Sequence, residues 1–135
     1  MRRCAVLFIG KRCGDPQANE LRALGFSVTE RNGPLDDAVL LQFPVVLIAS
    51  TAVTALPMIT TRLRGKPGFA RRVIAARVPD DTTPALIRAL RLCGLDEVFG
   101  QSTPTRAIAA RIAARLEQRP EWNCEYPEIP RTPAA

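Results

Sequence analysis

The side chain best suited to covalent chemistry in this chain is Cys13, which follows Lys11 and Arg12 in the stretch GKRCGD. Neighbouring cations favour the thiolate, and the thiolate is the nucleophile. A thiol enzyme is therefore one reading. The remaining cysteines are Cys4, Cys93 and Cys124, and the sequence has no histidine and no C-x-x-C pair. No zinc pattern is met. Cys4 and Cys93 sit in apolar stretches, where free cysteine is an ordinary core residue.

The charged residues are unevenly placed. No Asp or Glu occurs between Asp37 and Asp80, and no lysine occurs after Lys66. The formal net charge is +6, and apart from Lys11 and Lys66 every cation is an arginine. Arginine-rich composition suits a nucleic-acid binding module. Here the arginines are scattered rather than clustered, which fits a solvated surface better. Trp122 and Tyr126 are the only aromatics besides phenylalanine, so little is available for base stacking. Nucleic-acid binding stands as an alternative reading.

These residues need a scaffold, and the hydrophobic pattern supplies one. Apolar residues make up 47% of the chain, which excludes wholesale disorder. No apolar run approaches a membrane span. The opening Met-Arg-Arg followed by CAVLFI is too short for a secretory leader, and Lys11 and Arg12 follow in place of a small-residue cleavage site. It is read as a first strand, and the protein as cytoplasmic.

Five strand-like runs recur: AVLFI (5–9), FSVTE (26–30), VVLIA (45–49), RVIAAR (72–77) and EVF (97–99). Several are continuously apolar, as parallel strands covered on both faces are. Helical punctuation lies between them. Pro16, Pro34, Pro57, Pro84 and Pro104 each stand where a helix would open. Asp15, Thr83 and Thr103 are expected to cap. Gly25, Gly65 and Gly94 are expected to end helices in the left-handed conformation. Leu21 with Leu24, Val39 with Leu40, Ile59 with Leu63, the set Leu86, Ile87 and Leu90, and the set Ile108, Ile112 and Leu116 give each helix a face to bury. The expectation is an α/β fold: a doubly wound, five-stranded parallel sheet in the flavodoxin-like order 2-1-3-4-5. The domain is placed at 1–118. Residues 119–135, with prolines at 120, 127, 130 and 133, read as an extended tail. Trp122, Tyr126 and Ile129 are its candidate docking residues.

The order and length of these elements over residues 4–118, and runs such as FPVVLIAS at the third strand, resemble a response-regulator receiver domain. The resemblance implies a phosphorylation site: an acidic pair after the first strand for Mg²⁺, an acceptor carboxylate ending the third, a Ser or Thr after the fourth and a Lys after the fifth. This sequence departs at each place. Gly10 and Lys11 stand for the acidic pair, Ala49 or Ser50 for the acceptor, Ala76 or Arg77 for the hydroxyl, and Gln101 for the lysine. The acid-free interval leaves the third strand without a carboxylate in any register. Lys11 and Arg12 would oppose a divalent cation. No Mg²⁺ or other cofactor is expected, and Asp15 is read as a helix cap.

The resemblance then implies a pseudo-receiver that signals by binding protein. Its expected partner is a kinase, a regulator or another signalling protein, with self-association through the fourth and fifth helices as a further mode. Arg88 and Arg91, Phe99, and Arg111 with Arg115 mark the candidate partner surface. Like charges four apart on a helix repel unless an acid offsets them. Alanines 107, 110, 113 and 114 keep the fifth helix slim. No DNA-binding output domain is expected after residue 118. The stretch VLFIGKRCGDPQANELR also superficially resembles phosphate-loop phosphatases and phosphotransferase-system B subunits. The phosphatase pattern needs an arginine where Asn19 stands, and Arg22 comes too late.

Overall fold

The apolar runs become strands because they can be covered on both sides. A computed structural model describes residues 2–11, 13–32, 40, 42–49, 53–69, 71–119 and 124–125. The strands are β1 (Arg2–Arg3), β2 (Ala5–Ile9), β3 (Ser27–Arg31), β4 (Val45–Ile48), β5 (Val73–Val78), β6 (Glu97–Gly100) and β7 (Cys124–Glu125). The helices are α1 (Pro16–Ala23), α2 (Leu56–Arg64), α3 (Pro84–Leu92) and α4 (Thr105–Glu117). Strands β2 to β6 form one sheet in the order β3-β2-β4-β5-β6, with every pair parallel. Counted along the chain, this is the expected 2-1-3-4-5 arrangement.

Side-chain alternation divides the core into two layers. Val6, Phe8, Val28, Leu47 and Ala75 pack with Leu21 of α1 and with Ile108, Ile112 and Leu116 of α4. Leu7, Val46, Ile48, Ile74 and Ala76 pack on the opposite side with Leu56 and Leu63 of α2 and Leu90 of α3. Each fully buried Leu or Ile contributes roughly 1.5–3 kcal/mol, so these layers supply most of the driving force. The faces read from helical spacing turn inward: Leu21, Leu63, Leu90, Ile108, Ile112 and Leu116 are buried, and Leu24, Ile59 and Leu86 are half-buried against the core. Of the expected second helix, Leu40 is helical and buried, whereas Pro34 and Val39 lie outside the described residues.

Local signals fix most of the boundaries. The Asp15 carboxylate accepts the Gln17 N–H at 2.9 Å, and the Thr83 hydroxyl accepts the Leu86 N–H at 3.3 Å. Gly25 and Gly94 adopt φ of 110° and 120°. At Gly94 a Cβ would also meet the Arg64 Cγ at 2.8 Å, so both conformation and space require glycine. Two expectations fail. Gly65 caps α2 with φ of −76°, because that helix ends on right-handed geometry. Thr103 does not cap α4: Pro104 holds the N-cap position without a side-chain bond, and its carbonyl accepts the Ala107 and Ile108 N–H groups.

At the amino edge of the sheet, ion pairs tie loops together. Asp96 accepts from Arg64 at 2.7 Å, from Arg119 at 2.9 Å and from the Ile74 N–H at 2.8 Å. Arg64 also donates to the carbonyls of Phe69, Arg72 and Gly94. The tail returns to the chain start: β7 pairs with β1, Arg2 opposite Cys124 and Arg3 opposite Glu125. Trp122, Tyr126 and Ile129 lie outside the described residues. No described helix is long and apolar enough to cross a membrane.

Candidate functional site

In an open parallel sheet the loops at the carboxyl ends of the strands form the natural binding crevice. An open cleft of about 480 Å³ lies there, lined by Asp15, Gln17, Glu20, Arg77, Gln101 and Thr105 among others. Arg77 comes from the end of β5 and dominates it. Its guanidinium donates to the Asp15 carboxylate at 2.8 and 3.4 Å, to the Gln17 side-chain oxygen at 3.0 Å and to the Ala49 carbonyl at 3.2 Å. It also lies over the Phe8 ring, 5.8 Å from the centroid. The buried Arg77 Nε has no hydrogen-bond partner among the described residues.

Asp15 therefore has two tasks, capping α1 and holding Arg77. The Arg77 hydrogen bond draws the Asp15 carboxyl below the usual carboxylate range; partial burial opposes this, and the Gln17 N–H reinforces it. Glu30 of β3 fixes the approach to α1, accepting the Gly14 and Asp15 N–H groups at 2.8 and 3.1 Å and pairing with Arg22 at 3.3 Å. Desolvation would raise the Glu30 carboxyl, but these bonds outweigh it and hold it low. On the far side of the cleft, Thr105 donates to Glu20 at 2.8 Å. Asp80 joins the loops after β5 and β6, accepting the Ser102 N–H and hydroxyl at 3.0 Å each.

The structure sorts the residues expected here. The backbone N–H of buried Gly10 donates to the Arg31 carbonyl at 2.9 Å, while Lys11 is exposed. Ala49 is buried at the end of β4 beside Arg77; Arg12 and Ser50 lie outside the described residues. Gln101 lines the cleft. Ala76 does not reach it: alternation turns this residue into the core beneath α2 and α3, and the cleft-lining position near the end of the fourth strand of the sheet is Arg77. Thr82 bonds the Pro79 carbonyl and Thr83 caps α3, so neither lines the cleft. Cys13 is exposed and lies outside the cleft lining.

The proposed partner surface is also redistributed. Arg88 and Arg91 are exposed on α3. Phe99 is core, packed with α4 residues. Arg111 and Arg115 share the buried Glu97 carboxylate at 3.8 and 3.4 Å, and Arg115 also donates to the Asp96 carbonyl at 3.0 Å. Glu97 is the acid that offsets their repulsion. Arg115 thereby serves the domain's own edge rather than a free surface. Ala113 is buried in the core for the same reason: its side of α4 faces the sheet.

No family model and no curated protein matches this sequence. Solved structures do match. An orphan response regulator of H. pylori is 23% identical with a TM-score of 0.66, over 86% of this chain and 99% of that one. An atypical orphan response regulator, described as having a phosphorylation-independent regulatory mechanism, is 21% identical with a TM-score of 0.66, over 84% and 95%. The signal receiver domain of a DNA-binding response regulator from Colwellia psychrerythraea is 17% identical with a TM-score of 0.64, over 85% and 99%. The chain has the receiver-domain fold. The cleft beside Ala49 and Arg77 lies at the carboxyl ends of the strands of this fold. A strand that reads RVIAARV already carried a signal, since a charge inside an apolar parallel strand conflicts with burial.

Proposed function

We propose that this domain is a pseudo-receiver: a signalling module that acts by binding another protein, without phosphorylation. One observation carries the reading. The Arg77 guanidinium rests against both the Ala49 carbonyl and the Asp15 carboxylate at the carboxyl edge of the sheet. It supplies a fixed positive charge where the resemblance calls for a divalent cation, and it engages the nearest acid. A second cation entering that space meets repulsion rather than a cage. Among the described residues, no group of three Asp, Glu, Cys or His side chains is arranged to hold a metal ion. Ala49 offers no acceptor oxygen on its side chain. The two orphan regulators are similar in fold, and phosphorylation-independent regulation is ascribed to one of them.

Signalling is then a matter of surface recognition by a kinase, a regulator or another protein. Incubation with acetyl phosphate and Mg²⁺ followed by intact-mass analysis tests this. The expected spectrum contains the unmodified mass alone. A hydroxylamine-labile phosphoryl adduct would overturn the reading.

A further inference from the structure

We infer that the cleft between α1 and the start of α4 binds a small, uncharged, hydroxyl-rich ligand of the sugar or polyol class. This goes beyond the pseudo-receiver reading and does not depend on it, since such a ligand needs neither Mg²⁺ nor a phosphoryl donor. The two walls of the cleft are fixed to one another. Thr105, in the first turn of α4, donates its hydroxyl to Glu20 of α1 at 2.8 Å. The buried Gln17 side chain of α1 donates to the Thr103 carbonyl at 3.5 Å and accepts from Arg77 at 3.0 Å. A cleft of about 480 Å³ braced in this way lies within the size range of small-molecule sites.

The charges of the lining offset one another, and this selects the class of ligand. Asp15 and Arg77 close on each other at 2.8 Å. Glu20 stands at the amino end of α4, where aligned peptide dipoles leave roughly half a positive charge. An anion entering the cleft meets two carboxylates, and a cation meets Arg77 and the helix end. Hydrogen-bonding groups of both kinds remain. Helix α4 opens without a side-chain cap and its bonded N–H groups begin at Ala107, so the Thr105 N–H donates to no described group. Thr105 engages one of the two Glu20 oxygens and leaves the other as an acceptor. The exposed Gln101 amide offers a donor and an acceptor, and the Thr103 hydroxyl does the same. A ligand hydroxyl donates and accepts at a single atom, so adjacent hydroxyls match donors and acceptors that are interleaved. None of the described lining residues is aromatic, so a flat heterocycle finds no stacking face. Pro16 and Pro104 give the C–H faces of a saturated ring an apolar contact.

The test is an amide chemical-shift titration of the full chain without Mg²⁺. The probes are ribose, glucose and myo-inositol, with inorganic phosphate and butylammonium as charged controls. At least one of the three polyols is expected to give saturable shifts centred on Gln17, Glu20, Gln101, Thr103 and Thr105, and neither control is. Glu20→Ala is expected to weaken that binding roughly tenfold, and Gln101→Ala about threefold. Both side chains are exposed, and unperturbed dispersion elsewhere in the spectrum verifies that the variants fold. No saturable shift with any of the three polyols, tighter binding of phosphate or butylammonium in the cleft, or polyol binding that survives both substitutions would each overturn the inference. Loss of the pseudo-receiver reading would register separately, as a phosphoryl adduct in the mass spectrum, because these titrations contain no phosphoryl donor.

Discussion

The two edges of the sheet both carry arginine–carboxylate pairs, but they use them differently. At the amino edge, Asp96 gathers Arg64, Arg119 and the Ile74 N–H, and Arg64 closes three backbone carbonyls as well. Most charges and loop carbonyls there are satisfied by one another, although the Arg119 Nη1 has no hydrogen-bond partner among the described residues, and the arrangement staples α2, β5, β6 and the end of α4. At the carboxyl edge, Arg77 meets Asp15 beside an open cleft. The first network is structural. The second lines an open crevice at the carboxyl ends of the strands and fills part of it with the protein's own cation.

This contrast predicts a ranking of effects. Arg64→Ala removes an ion pair and three carbonyl bonds at once and leaves Asp96 mostly buried. It should cost about 2–3 kcal/mol, after allowance for the partial exposure of the pair. Equilibrium urea unfolding measures it. Arg77→Met removes the guanidinium from Asp15 and from the Phe8 ring but frees Asp15 toward solvent, so the cost should be only about 1 kcal/mol. If the two losses proved equal, the division into staple and open site would fail.

Acid should expose the smaller effect at the carboxyl edge. Asp15 and Glu30 both have carboxyls lowered in the fold, from ordinary values of 3.8 and 4.5. A lowered group contributes stability that is fully present above its ordinary value and is lost as pH falls through the folded one. Urea midpoints should therefore fall from about pH 5 downward. Asp15→Asn should flatten part of that slope while leaving stability near neutrality only slightly reduced. A slope unchanged in Asp15→Asn would remove Asp15 from the account.

Much of this was legible in the residues. Continuous runs such as VVLI and VIAA announce buried parallel strands, and their boundaries came out within a residue or two of the structure. The caps at Asp15 and Thr83 have a local cause, a side-chain oxygen within reach of the next turn, and local causes are readable. Gly65 and Thr103 misled because the same residue types serve more than one terminus geometry, and the choice is made by packing. The Arg77–Asp15 pair was hidden for a different reason. Its members are 62 residues apart, so no spacing along the chain links them. A one-residue ambiguity at the strand end also decides between a core alanine and a cleft arginine. The sequence placed an opposing cation after the first strand, at Lys11 and Arg12. The cation found in the cleft comes from the fourth strand of the sheet.

On the proposed reading, Arg77 takes the place of a divalent cation and the pocket receives no phosphoryl group. Titration with beryllofluoride and Mg²⁺, followed through the amide resonances of Gly10, Ala49, Arg77 and Gln101, addresses this most directly. The account predicts no saturable shifts at these positions in the wild-type chain. Saturable, Mg²⁺-dependent shifts centred on Ala49 would contradict it.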